Sequence, residues 1–206
     1  MNFKEMSPEL KLIYDMVKSD HHYYKMYPDA RELNVFSVSR LAWNWKDVVD
    51  MKLHPNKRGE WNGKMLVGKL LGKQIQDEFV RQDERWFTEQ PEVRYNIPYR
   101  WKCRPLLRGI TLIGHPDLVH HERRIVAELK TSPYSDVIHP YAIQQNALYW
   151  AYLLRTTGKD YAAKVLKVSW PPNEVIMTRK QKEEGAQEIV RRAYLAAKEL
   201  DRSLSK

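Results

Sequence analysis

The chain has 206 residues, 43% of them hydrophobic and 30% charged, and 35 Lys and Arg against 26 Asp and Glu leave a net charge of +9. That length buries a core without staples, no apolar run is long enough to cross a bilayer, and the first residues lack an apolar signal core. Cys103 is the only cysteine, which excludes an intramolecular disulfide and any cysteine-built zinc or iron–sulfur centre within one chain. The expectation is a cytoplasmic protein with no membrane partner and, from its charge, a polyanionic one.

In chain order, Ser7-Pro8-Glu9 reads as a helix start, with Ser as N-cap and Pro at the first helical position. Leu10, Ile13, Tyr14 and Val17 follow at helical spacing, and Pro28-Asp29 ends the segment. A second helix is expected from Ser37 to before His54-Pro55, then a basic loop over 55–59. A longer helix covers Lys64 to about Arg85, with Leu66, Leu70, Ile75 and Phe79 as its buried residues. Gly68 and Gly72 lie on one of its faces, where another element can approach closely.

Three strands are expected next, over Val93–Tyr99, Gly109–Val119 and Ile125–Leu129, the last two joined by the polar turn His121-Glu122-Arg123-Arg124. A helix from Ile138 to Arg155 stops at Thr156-Thr157-Gly158. A fourth strand spans Ala163–Trp170, and a charged amphipathic helix over Thr178–Leu200 closes the order. A meander followed by a strand–helix–strand crossover gives an α/β fold with a mixed sheet flanked by helices. We read one domain: a helical part over 1–60, a core over 61–170 and a C-terminal helix over 171–206.

The chemistry concentrates in Gly114-His115-Pro116-Asp117 and Glu128-Leu129-Lys130-Thr131. A hairpin turning at Glu122-Arg123 sets Asp117 opposite Glu128, with Cβ atoms about 5 Å apart. Lys130, two residues beyond Glu128, shares that face. Two carboxylates suit a hard divalent ion such as Mg²⁺ or Mn²⁺, and the Leu129 carbonyl offers a third oxygen. An ammonium beside such an ion orients water or stabilises charge at a phosphodiester. Pro116 lacks a donor, so the strand bends or lies at an edge where Asp117 is presented. The competing reading is an exposed hairpin with ordinary solvated charges. Gln145 and Tyr149 share a face of the following helix with Tyr141 one turn earlier, and this stripe flanks the proposed site.

Together these three motifs resemble the PD-(D/E)xK nuclease superfamily, and within it the RecB-like branch, including CRISPR-associated RecB-like exonucleases and related single-strand nucleases of archaeal viruses. The resemblance covers about residues 64–170, together with Ser37-Val38-Ser39-Arg40-Leu41, which is similar to a serine-containing segment of the family. It implies a restriction-endonuclease-like αβββαβ core with helical additions at both ends. Asp117 and Glu128 would be metal ligands with the Leu129 carbonyl, and Lys130 the catalytic lysine. Gln145, Tyr149, Tyr141, Ser39 and Arg40 would meet nucleic acid. The cofactor would be Mg²⁺ or Mn²⁺, without an iron–sulfur cluster.

The family's histidine ligand, four residues after a glycine, is here Gln76 after Gly72, a weaker ligand. The implied activity is cleavage of DNA, as a single-strand exonuclease with endonuclease activity open. A homo-oligomer is open too, as is the host cytoplasm for a viral chain. The alternative is a non-catalytic nucleic-acid-binding or assembly protein that keeps the fold. Trp43, Trp45, Trp61 and Trp101 lie among basic residues and are each expected in the core more often than on a stacking surface. His120 and His121 are read as solvated turn residues, and His115 as facing away from Asp117.

Overall fold

A computed structural model describes residues 32–54, 63–88, 92–131, 137–169 and 172–206. The chain divides into two compact units, Met1–Leu33 and Asn34–Lys206, and the fold is that of the second. The helix expected from Ser7, the basic loop over 55–59 and Trp61 lie outside the described residues.

The elements are β1 (Val35–Ser37), α1 (Val38–Leu53), α2 (Gly63–Gln82), β2 (Trp86–Thr88), β3 (Val93–Arg100), β4 (Arg108–Gly114), β5 (Leu118–His120), β6 (Ile125–Thr131), α3 (Pro140–Thr157), β7 (Ala162–Val168), β8 (Asn173–Ile176) and α4 (Arg179–Leu204). The strands form a three-stranded sheet, β1-β4-β3, and a five-stranded sheet, β2-β5-β6-β7-β8. β6 and β7 pair in parallel across the α3 crossover, whereas β5 and β6 pair antiparallel. This is the mixed α/β architecture expected from the order of elements. Among the described residues, no helix is long and apolar enough to cross a membrane.

The strand expected over Gly109–Val119 is in fact two strands in different sheets, β4 and β5. The interruption falls at His115-Pro116-Asp117, where Pro116 supplies no N–H to continue a ladder. Three short strands, β1, β2 and β8, were not anticipated; at three or four residues they are too brief for an alternating pattern to show.

Helices cover both faces of the larger sheet. On one face, Ile75 and Phe79 of α2 pack with Trp86 and Leu166 against Leu118, Ala127 and Leu129. On the other, Asn146 of α3 donates to the carbonyls of Val126 (3.3 Å) and Lys164 (2.7 Å), tying the helix to β6 and β7. The close approach expected at Gly68 is made by Thr131, whose hydroxyl donates to the Gly68 carbonyl at 2.8 Å. A Cβ at Gly68 would lie 2.9 Å from that hydroxyl oxygen. α3 ends at Gly158 in the left-handed conformation (φ 67). α4 begins with a capping box in which Thr178 and Gln181 satisfy each other's backbone N–H.

Candidate active site

Two sheets converge where β4 ends. A Cβ at Gly114 would lie 2.8 Å from the Tyr149 hydroxyl and 3.2 Å from the Val38 side chain, so only glycine lets α1 and α3 close over this point. Pro116 then turns the chain into the other sheet and delivers Asp117 at the start of β5. The β5–β6 register pairs Leu118 with Ala127, Val119 with Val126 and His120 with Ile125. The hairpin geometry inferred from sequence is therefore present, with Asp117 one step beyond the last pair.

Asp117 is held from two sides. One oxygen accepts the Leu129 backbone N–H at 2.7 Å, and the other accepts the Gln76 side-chain N–H at 3.3 Å. Glu128 is 2% exposed. Its Oε1 accepts from the Lys130 ammonium at 2.6 Å, while its Oε2 is buried without a donor and Glu128 interacts with the Asp117 carboxyl. Burial, and next the Asp117 charge, push the Glu128 carboxyl up to about 8. An unsatisfied buried carboxylate oxygen facing a second carboxylate is a costly arrangement in a folded chain. A divalent cation relieves both the missing partner and the like-charge repulsion, so the donor set fits Mg²⁺ or Mn²⁺. Asp117 and Glu128 would hold it, with the Leu129 carbonyl as the third oxygen suggested by the sequence.

Gln76, expected as a weak ligand through its amide oxygen or a water, reaches this cluster. Its amide nitrogen donates to Asp117. Lys130 also donates to the Gln145 carbonyl oxygen at 3.4 Å, and Gln145 donates to the Tyr149 hydroxyl at 3.1 Å. Gln145 is 5% and Tyr149 1% exposed. Both were expected to contact DNA and to support the site; they lie buried, in a hydrogen-bond chain that runs from Tyr149 through Gln145 to Lys130. Tyr141 is half-buried, its ring 5.4 Å from the Lys130 nitrogen.

Ser39 and Arg40 sit exposed in the first turn of α1. Ser39 pairs with the Ser37 hydroxyl at 3.0 Å, and Arg40 turns to the Met51 sulfur at 2.8 Å. Among the tryptophans, Trp101 is core, donating to the Gly109 carbonyl at 2.9 Å, whereas Trp43 is exposed.

The expectations for His120 and His121 need correction. His120 is fully buried, 3.1 Å from the Asp83 carboxylate and accepting the Arg123 N–H. His121 pairs with the Tyr161 hydroxyl at 2.8 Å, and burial lowers its proton affinity. Both turn inward because β2, unseen in the sequence, pairs with β5 and covers them. His115 lies 3.8 Å from Glu92. Among the described residues no group of three or more His, Cys, Asp or Glu forms a metal cluster.

No family model and no curated protein matches the chain. Solved structures do. The chain shares its fold with a protein from Eubacterium rectale assigned as an exonuclease (TM-score 0.57, 13% identity, covering 87% of this chain and 86% of that one). A phage-related exonuclease from Haemophilus somnus 129PT aligns with a TM-score of 0.49 at 15% identity, over 83% of this chain and 95% of that one. LHK-Exo, solved in complex with dAMP, aligns at 0.46 with 12% identity, over 85% and 96%.

Proposed function

We propose that this chain is a divalent-metal-dependent deoxyribonuclease of the PD-(D/E)xK type, acting as an exonuclease on single-stranded DNA. The observation that carries the reading is the buried Glu128, whose Oε1 takes the Lys130 ammonium and whose Oε2 has no donor, beside the Asp117 carboxyl. The fold shared with the Eubacterium rectale protein supports it.

Bound there, a divalent ion supplies charge neutralisation at the phosphate and a more acidic water. The chain's own residues do the rest. Asp117 and Glu128 supply the anionic oxygens. The Leu129 N–H and Gln76 fix Asp117 in orientation. Lys130, steered by Gln145 and Tyr149, holds its ammonium at the edge of the carboxylates, where it binds a phosphate oxygen or orients water.

One observation favours a second reading, a non-catalytic binding protein: Gln76 occupies the position where the resembled family has a metal-binding histidine. The experiment is cleavage of single-stranded DNA with Mg²⁺ or Mn²⁺ by the wild type, Asp117→Ala and Lys130→Ala. The nuclease reading expects activity only in the wild type and only with metal. Equal activity in all three, or DNA binding with no cleavage under any metal, overturns it.

A further inference from the structure

Trp43 is left over by the chemistry of the carboxylates. Its side chain is 65% exposed, whereas tryptophan is highly buried on average. Its position is built. The next residue, Asn44, leaves helical geometry (φ −155, ψ 106) and breaks α1. The Asn44 side chain accepts the Lys46 N–H at 3.2 Å and donates to Asp47 at 2.8 Å, restarting the helix. Arg192 of α4 donates to the carbonyls of Leu41 and Ala42, the acceptors that the break leaves without helical donors.

Presented this way, the Trp43 ring meets Tyr141 edge-on, centroids 5.0 Å apart at 73°. Tyr141 stacks on the exposed His139 at 5.5 Å and 14°. The same Tyr141 ring lies 5.4 Å from the Lys130 nitrogen. A continuous aromatic ledge thus runs outward from the lysine of the site, and its outer member, Trp43, stays open to solvent.

We infer that this ledge stacks a nucleobase of an unpaired strand whose backbone lies at Asp117, Glu128 and Lys130, with Trp43 as the stacking residue. Every base has a π-face, so such a contact is strong and indifferent to sequence. A base inside a duplex already has both faces covered by its neighbours, so the ledge selects unpaired nucleotides. Lys130 lies over the Tyr141 ring and the chain carries a net charge of +9, which suits a polyanionic strand better than an apolar protein partner. The inference rests on the nuclease reading for the identity of the strand and adds the element that recognises it.

The test is fluorescence anisotropy of labelled oligonucleotides in EDTA, so that no cleavage intervenes. Wild type, Trp43→Ala and Trp43→Phe are compared on single strands, on blunt duplex and on single strands abasic at one position each. Trp43→Ala should weaken single-strand binding about tenfold or more, and Trp43→Phe by less than about threefold. Duplex affinity should not change. One abasic position should reproduce the loss in wild type and add nothing in Trp43→Ala.

Wild-type single-strand affinity in Trp43→Ala, an equal loss on duplex, or no single-strand binding by the wild type overturns the ledge. Equal losses in Trp43→Ala and Trp43→Phe overturn it as well. The nuclease reading is judged separately, by cleavage in wild type against Asp117→Ala. An inactive Asp117→Ala beside a Trp43→Ala of unchanged affinity removes the ledge and keeps the nuclease.

Discussion

The Asp117 carboxylate accepts the backbone N–H of Leu129 at 2.7 Å, so a side chain continues the β5–β6 ladder one step past the point where its own backbone leaves it. This bond locks Asp117 to the strand that carries Glu128 and Lys130. Asp117→Ala deprives a nearly buried N–H of its acceptor, and urea denaturation should show a loss of about 1–3 kcal/mol. Asp117→Asn keeps an acceptor and should cost less. Both should lower cleavage at least about a hundredfold, since neither supplies the anionic oxygen. Equal stability of Asp117→Ala and wild type would show that the bond contributes nothing.

Glu128 makes the fold and the chemistry compete. Its Oε2 lacks a donor in a buried site, so a ligand that satisfies it stabilises the folded state by mass action. Mn²⁺ or Mg²⁺ should raise the melting temperature of the wild type, by about 2.7 kcal/mol in free energy at a hundredfold excess over Kd. Glu128→Gln removes the anionic oxygen but keeps an acceptor for Lys130. It should lose the metal-dependent rise and melt, without metal, no lower than the wild type. A metal-dependent rise retained in Glu128→Gln would place the ion elsewhere.

Much of the site was legible because its parts are local. Asp117, Glu128 and Lys130 are tied by a four-residue turn and a strict two-residue period, so the register followed from the sequence. The helix carrying Gln145 and Tyr149 was legible from its own spacing and its Gly158 stop. Side-chain direction was not. Nothing in the spacing says that Tyr149 is buried against Gly114, because Gly114 belongs to a second sheet contributed by distant segments. His120 shows the same limit: its partner Asp83 lies in the segment just before β2, a strand too short to carry a pattern. Trp43 looked like core because the break at Asn44, which turns it outward, has no glycine or proline to announce it.

Gly114 and Tyr149 fit as a pair. Gly114→Ala places a methyl 2.8 Å from the Tyr149 hydroxyl and 3.0 Å from its ring carbon. The ring is buried and cannot swing aside, so Gln145 and then Lys130 are displaced. Gly114→Ala should lower kcat more than about tenfold. Tyr149→Phe alone removes the acceptor for Gln145 and should lower kcat by about three- to tenfold, with KM little changed, as fits a positioning role. In combination, Tyr149→Phe should recover part of the Gly114→Ala loss, since the closest contact is gone. Losses that simply multiply would show that the two residues are not coupled.

Arg192 bridges α4 to the break in α1 through the Leu41 carbonyl at 3.1 Å and the Ala42 carbonyl, while Glu188 accepts from it at 2.8 Å. Arg192→Ala leaves those carbonyls without a charged donor and should cost about 2 kcal/mol in denaturant unfolding. Arg192→Lys reaches one carbonyl at a time and should recover only part of it. An Ala variant as stable as wild type would mean the break is held by Asn44 alone.

Asp201 supplies the pH dependence. It is 6% exposed on α4 and accepts the backbone N–H groups of Lys102 at 2.9 Å and Cys103 at 2.7 Å, pinning the end of α4 to the β3–β4 connection. Burial raises its proton affinity, but the backbone donors of Cys103 and Lys102, with the Cys103 thiol and the Lys102 charge, outweigh it and leave the carboxyl below its ordinary value. A carboxyl depressed in the folded state favours folding when ionised. Its contribution is therefore complete above the unfolded value of about 3.9 and is lost as the pH falls through the lower folded value. Asp201→Asn should be less stable than wild type by about 1–3 kcal/mol at pH 7. In urea melts taken from pH 7 down to pH 3, the gap should hold until the carboxylate begins to protonate and then narrow. A gap that stays constant across that range would show that the charge on Asp201, as distinct from its shape, contributes nothing to holding α4 in place.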